Sequence, residues 1–379
     1  MKCARKFSFC QLTSQFRFCG NCFRLDSYRG CTFGCIYCFV NAKGDRDLLK
    51  GHLNNAHPKT TSKAKALRDL LEGRWDCFEY ALVKSRIPFH FGGISDPFNH
   101  EEAIAKRTLS FLKVLFVHEY PVMISTKGGI QQVTDRHLEF CDPKTTAFQI
   151  SLLSTNQKRL DQVEVNTPSA KDRIALIQKL RSRGYWVSVR IQPLIWIEDA
   201  LALVKELSPQ VNYITVEHLK LMVGCKSMRA VLQASGKDFW HGFYRTWNKF
   251  EVQPAIKFSH AQQIKEISKC PIGIGDNDLH WMSDSDNCCG LDTIGGAFSH
   301  WLSYNTMTLY RGKKYSPVTD YPAPDSRATH VPEGNKLPMK HFVDGFVKAY
   351  GRKQFTSSKG SLSPLMRDYY CYVDNIRSK

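Results

Sequence analysis

The chain has 379 residues, 42% of them hydrophobic, with 53 Lys and Arg against 35 Asp and Glu, a net charge of +18. That is enough apolar material for a large core, in one catalytic domain with additions or in two domains. No run approaches the roughly 18 apolar residues of a membrane helix, and the basic start MKCARKFSFCQLTSQF leads into no apolar signal region, so the expectation is a cytoplasmic protein with no membrane partner.

Residues 1–22 are cysteine-rich and irregular. A strand is predicted over 23–28, running into Gly30, and a second over 87–91, ending at Gly92 and Gly93. A helix follows over 101–117, with Ile104, Leu112 and Leu115 among its apolar positions. Strands over 121–125 and 147–152 come next, then a helix over 170–183 closed by Gly184 at its C-cap position. The fifth strand, 185–191, is stopped by Pro193; a helix over 199–207 is stopped by Pro209; a sixth strand covers 211–216. After Glu217 the pattern weakens, and residues 315–338 carry five prolines and read as loop. Strands alternating with helices imply a parallel sheet. The expected fold is therefore α/β, a partial (β/α)6 TIM-type barrel. Its domains are a cysteine-rich N-terminal cap (1–22), a core (23–220) and a basic C-terminal extension (221–379).

Fourteen cysteines are many, and six precede residue 36 with Cys38 close behind. In a reduced compartment such density points to metal rather than disulfides. Cys31, Cys35 and Cys38 have the spacing C-x3-C-x2-C on a glycine-containing loop just after the first strand, the end of the sheet where barrel-like folds place active sites. Three thiolates can hold three irons of a [4Fe–4S] cube. The fourth iron is then open to an amino acid that chelates through its amino and carboxylate groups. The alternative is a zinc site with Cys19 or Cys22 as fourth ligand.

The triplet, with Tyr37 before its third cysteine, resembles the signature of the radical S-adenosylmethionine superfamily. The run Gly92-Gly93-Ile94-Ser95-Asp96-Pro97-Phe98 resembles the second-strand motif of the spore photoproduct lyase-like branch. Arg159-Leu160 through Glu164, then Pro168, Arg173, Gly184 and Pro193, resemble the middle of that branch, so the likeness covers roughly residues 23–220. It implies an enzyme that reductively cleaves S-adenosylmethionine at a [4Fe–4S] cluster to make a 5′-deoxyadenosyl radical, fed by a donor such as flavodoxin or ferredoxin. It also implies cofactor contacts at Tyr37, Gly92, Gly93, Ser95, Asp96, Lys127 and Ser151: glycines for close backbone approach, Ser95 and Asp96 for the methionine amino group, Lys127 for its carboxylate. Asp96-Pro97 reads equally as a turn. Arg173 is either a further contact or a surface helix residue. Spore photoproduct lyases carry a hydrogen-donating cysteine where this chain has Gly93, so the reaction is expected to differ.

Cys3, Cys10, Cys19 and Cys22 read as a zinc site, a second cluster or plain thiols. Cys270, Cys288 and Cys289 lie in a Gly- and Asp-rich stretch and read as an additional metal site, a substrate-facing thiol or buried structural thiols. His280-Trp281 and His300-Trp301 read as core.

Residues 301–379 hold 13 Lys and Arg against 6 Asp and Glu, with aromatics interleaved at Tyr310, Tyr315, Tyr350 and Phe355. Cations can follow phosphates while rings stack on bases, and an ordinary solvated face reads equally well. The function expected first is radical modification or rearrangement of a DNA or RNA base. The second is radical chemistry on a peptide or small molecule, and the third a non-catalytic, metal-stabilised nucleic-acid-binding protein.

Overall fold

The computed structural model describes residues 9–12, 19–40, 63–75, 78–222, 231, 233–234, 243–245, 249–276 and 279–304. Cys3 and the aromatic and basic segments beyond residue 304 lie outside them.

The fold is α/β. An eight-stranded sheet runs in the order β1-β2-β3-β4-β5-β6-β7-β11. Its members are β1 (Cys10–Leu12), β2 (Phe23–Leu25), β3 (Phe89–Phe91), β4 (Val122–Thr126), β5 (Thr146–Ser151), β6 (Trp186–Leu194), β7 (Tyr213–His218) and β11 (Ile272–Ile274). All six expected strands are present as β2 to β7, and every pair from β2 to β11 is parallel. The two ends of the sheet, β1 and β11, do not pair, so among the described residues the barrel stays open. A separate antiparallel sheet of β8 (Lys220–Met222), β10 (Lys249–Val252) and β9 (Phe243–Arg245) follows β7. No helix among the described residues is long and apolar enough to cross a membrane.

Several expectations change. The residues before 23 are not wholly irregular, because Cys10–Leu12 adds an antiparallel edge strand to β2. The sheet does not end near 220: β11 continues it as a seventh parallel strand beside β7. β6 passes through Pro193 to Leu194, with a register shift against β7 where the proline lacks an N–H. The single helix expected over 101–117 is two, Glu102–Ala105 and Arg107–Val117, broken at Lys106. The Glu102 carboxylate causes the break by accepting the otherwise unpaired N–H groups of Thr108 (2.8 Å) and Leu109 (2.9 Å). Ile104 is consequently exposed, while Leu112 and Leu115 are buried.

Alternation along the strands sorts the two faces. Val122, Ile124, Phe148, Ile150, Val187, Val189, Ile214 and Val216 join the main core on the outer face, beneath helices such as Ala170–Ser182 and Ile197–Leu207. The inner face is layered. Its lowest row, Arg24–His90–Met123–Ala147–Trp186, follows directly from strand register. Above it run Ser125–Gln149–Ser188–Tyr213 and then Ser151–Arg190–Thr215–Gly273. Residues 279–304 plug the inside from below. Cys289, Leu291, Phe298 and Trp301 pack on Met123 and Ala147 as a second, smaller core. Thr215 Oγ1 donates to the Cys288 carbonyl at 2.7 Å, and a side chain at Gly273 would meet that carbonyl at 2.1 Å.

Candidate active site

The plug closes the bottom of the barrel, and the C-terminal strand ends surround a cavity of ≈ 260 Å³ at the top. Cys31, Cys35 and Cys38 line it, together with Tyr37, Gly92, Gly93, Ser95, Asp96, Lys127 and Ser151.

The triplet loop is held from one side by the segment around Glu164. Ile36 N–H donates to the Val163 carbonyl (3.0 Å), Asn166 N–H to the Phe33 carbonyl (3.0 Å), and Cys35 bridges to Glu164. Gly34, at φ +64°, makes the turn between the first two cysteines. The Cys31 thiol is pushed up to about 12 by burial first and by the Asp96 charge, against backbone N–H groups of Phe33 and Asp96 that favour its thiolate. Cys35 is raised by burial and by Glu164, with Lys127 opposing. These are thiols that iron would deprotonate on binding. None of the described cysteines is in a disulfide. Among the described residues no three His, Cys, Asp or Glu side chains could share one metal ion. A cube makes no such demand, because each thiolate takes a different iron. The donor set thus fits a cluster.

Glu164 is the residue that ties the cysteine-loop side of the cavity together. It is buried, accepts the Tyr37 hydroxyl, pairs with Arg173 at 2.6 Å and stands 3.8 Å from Lys127 Nζ. Burial would raise its carboxyl, but the Arg173 and Lys127 charges hold it below the usual carboxylate range. Lys127 also lies over the Tyr37 ring at 5.5 Å. Arg173 is neither a surface residue nor part of the cavity lining. It is fully buried behind Glu164, donating to the carbonyls of Pro168 and Ser151.

The second-strand motif serves the fold as much as a ligand. Gly92 sits at φ +101°, and a Cβ there would meet the Ser125 carbonyl at 2.4 Å; one at Gly93 would meet the Arg24 side chain at 2.6 Å. The close approach these glycines permit is therefore to protein. Ser95 Oγ donates to the Tyr28 carbonyl (2.8 Å), and its backbone N–H donates to Asp26 (3.2 Å). Asp96 is both turn and cavity residue. It accepts Phe98 N–H (2.9 Å), Thr126 Oγ1–H (2.7 Å) and Lys127 N–H (2.6 Å), so it fastens the ends of β3 and β4 together.

The remaining cysteines regroup. Cys270 stands apart from the cavity, beside Ser268 below β11. Cys288 and Cys289 do line the cavity, and their companion is Cys19, whose thiol is within hydrogen-bond reach of Cys289. Cys10 and Cys22 are buried in the main core.

Sequence reading did not single out the floor, Asn21, His90 and Gln149, or the opposite wall, Arg190, Gln192, Thr215, Glu217, His218 and Lys220. A signal was present. Polar residues recur at every second position of otherwise apolar strands, as in Ser188-Val189-Arg190-Ile191-Gln192 and Thr215-Val216-Glu217. At the rim His218 Nδ1 meets Asp276 at 2.6 Å and Lys220 Nζ meets Glu217 at 2.5 Å. Burial would raise Asp276, yet His218, Lys220 and Lys257 hold it well below the usual range.

No family model matches the chain, and no curated protein matches it. Among solved structures it is similar to a spore photoproduct lyase mutant with bound AdoMet and dinucleoside spore photoproduct, at 15% identity over 67% of this chain and 75% of that one (TM-score 0.48). It is similar also to spore photoproduct lyase complexed with dinucleoside spore photoproduct, at 14% identity over 68% and 83% (TM-score 0.45). A third is Streptococcus suis SuiB bound to S-adenosylmethionine, at 15% identity over 54% of this chain and 42% of SuiB (TM-score 0.39). The chemistry below rests on this chain's own residues.

Proposed function

We propose that this protein is a radical S-adenosylmethionine enzyme that modifies or rearranges a nucleic-acid base. The observation that carries the reading is convergence: the C-x3-C-x2-C thiols and Tyr37, Ser95, Asp96, Lys127 and Ser151, drawn from the ends of four successive parallel strands, line one cavity. When bound on Cys31, Cys35 and Cys38, a [4Fe–4S] cluster supplies the electron that splits the sulfonium of S-adenosylmethionine into methionine and a 5′-deoxyadenosyl radical.

The chain's own part is binding, orientation and exclusion of water. Lys127, steadied by Tyr37 and Glu164, offers a cation to the methionine carboxylate. Ser95 keeps lone pairs for the amino group while its proton is committed to Tyr28. The plug of residues 279–304 shuts the barrel from below, so a reactive species formed above it meets no solvent from that side.

The net charge of +18 supports a polyanionic substrate. A neutral floor of Asn21, His90 and Gln149 suits the donors and acceptors of a base. The reduced cysteines and the need for a low-potential donor, of flavodoxin or ferredoxin type, fit a cytoplasmic setting.

Anaerobic reconstitution with iron and sulfide tests the reading. The expected result is a brown protein that forms 5′-deoxyadenosine with reductant and S-adenosylmethionine, and an altered nucleoside, seen by mass spectrometry, when DNA or RNA is added. A protein that binds zinc alone and cleaves no cofactor defeats the enzyme. Cleavage accelerated by peptides and not by nucleic acid defeats the substrate assignment.

A further inference from the structure

Arg190 lies in the upper inner row, between Ser151 on β5 and Thr215 on β7, and lines the cavity. Its Nε donates to Gln192 Oε1, and among the described residues its guanidinium has no carboxylate partner. The other two cations of the cavity each have one: Glu164 stands 3.8 Å from Lys127 and Glu217 stands 2.5 Å from Lys220. The half-buried Arg190 guanidinium faces the cavity with no counter-charge to offset what desolvation it suffers. Among the described residues its surroundings supply none: the Cys288 thiol that feels its charge is held above its usual range, against a Cys289 hydrogen bond, by burial and by the Cys19 and Glu217 charges. His90, across the barrel, is kept neutral, its imidazole pushed down to about 3 by burial first and by the Arg190 charge next. Thr215 commits its proton to the Cys288 carbonyl, and the Gln149 amide is spent between Ser125 and Thr215.

We infer that Arg190 anchors an oxyanion carried by the substrate, a carboxylate or a phosphate. The guanidinium fork presents paired N–H donors that match two oxygens of either group, and a planar cation suits that role better than a lysine. The group is not the carboxylate of S-adenosylmethionine, which has Lys127 beside the cysteine loop. This deepens the proposed function, and it rests on that reading in taking the cavity as the substrate chamber.

Titration calorimetry of the reconstituted protein, at constant ionic strength, with inorganic phosphate and separately with acetate, decides the matter. At least one anion should bind saturably, and phosphate over acetate or the reverse identifies the source. Arg190→Gln should weaken that binding at least about tenfold, and Arg190→Lys by less. In the wild-type protein, saturating anion at neutral pH should shift the His90 ring resonances, because His90 lines the same cavity and feels the Arg190 charge; this holds even if Arg190→Gln does not fold. Absence of saturable binding, equal binding by Arg190→Gln, or an unmoved His90 overturns the inference. So does a loss of S-adenosylmethionine affinity in Arg190→Gln that matches its loss of anion affinity. If the wild-type protein forms no 5′-deoxyadenosine, the radical reading fails, while the anion titration still decides on Arg190.

Discussion

The cavity wall over β2 to β4 carries the cysteine triplet, Ser95, Asp96 and Lys127 on loops, with His90, Ser125 and Thr126 below them on the strands, whereas the wall over β6 and β7 carries its polar side chains on the strands. Cys31, Cys35 and Cys38 follow β2, Ser95 and Asp96 follow β3, and Lys127 follows β4. Arg190 and Gln192 lie within β6, and Thr215, Glu217 and His218 within β7. Groups of one loop, such as the three cysteines, act together because they are close in sequence, and long-range backbone hydrogen bonds such as Asn166 N–H to the Phe33 carbonyl pin the loop. Strand groups act together only once register has aligned them. The first wall suits a cofactor of fixed shape. The second suits a variable partner, since single side chains there can change without disturbing a loop.

The largest expected effect tests whether the cysteine loop and the plug are separate. Cys35→Ala should abolish both the iron–sulfur absorbance and 5′-deoxyadenosine formation, whereas Cys289→Ala, in the plug below both walls, should keep the absorbance. Loss of the absorbance in both would join the loop and the plug into one metal site. Next in size is Glu164→Gln. It strands the fully buried Arg173 without its partner, so urea unfolding should show a loss of about 3–5 kcal/mol. An equal loss in Arg190→Gln would remove the contrast between a braced arginine and one waiting for a ligand.

Two buried groups, Asp26 behind the Ile94–Ser95 backbone and His90 on the cavity floor, should also answer pH in opposite senses. Burial raises the Asp26 carboxyl to about 6 in the folded chain against about 3.9 unfolded. Its contribution is present below pH 4 and is lost as pH rises to 6, by up to about 3 kcal/mol. His90, held at about 3 by burial and by Arg190, contributes above pH 6.5, and that contribution is lost as pH falls toward 3. Stability profiles should therefore flatten between pH 4 and 6 in Asp26→Asn and between pH 6.5 and 3 in His90→Gln; an unchanged profile rules out the group concerned. The smallest effect is Gly92→Ala, which forces a Cβ to within 2.4 Å of the Ser125 carbonyl at φ +101°. It should cost about 2 kcal/mol in unfolding experiments, against about 1 kcal/mol for Gly295→Ala, where only the positive φ opposes the change.

Legibility followed the same division. Six parallel strands were readable because each is a short apolar run between helices. β11 was missed because Ile272-Gly273-Ile274 is only three residues long and its glycine is required by the Cys288 carbonyl lying against it. The plug was invisible for a similar reason: its apolar residues pack inside a barrel and follow no helical or strand period. Arg173 was noticed, but sequence offered a surface or a ligand, and neither describes a charge buried behind Glu164.

By itself the sequence determined the α/β alternation and the cysteine triplet, because both are local: one is hydrophobic period, the other ligand spacing along a few residues. Only the tertiary structure decided that Cys19 joins Cys288 and Cys289 while Cys270 stands apart, that Glu164 braces Tyr37, Lys127 and Arg173, and that Arg190 faces the cavity without a carboxylate. Those pairings join residues tens to hundreds of positions apart, and only parallel register and the plug beneath it bring their side chains within reach.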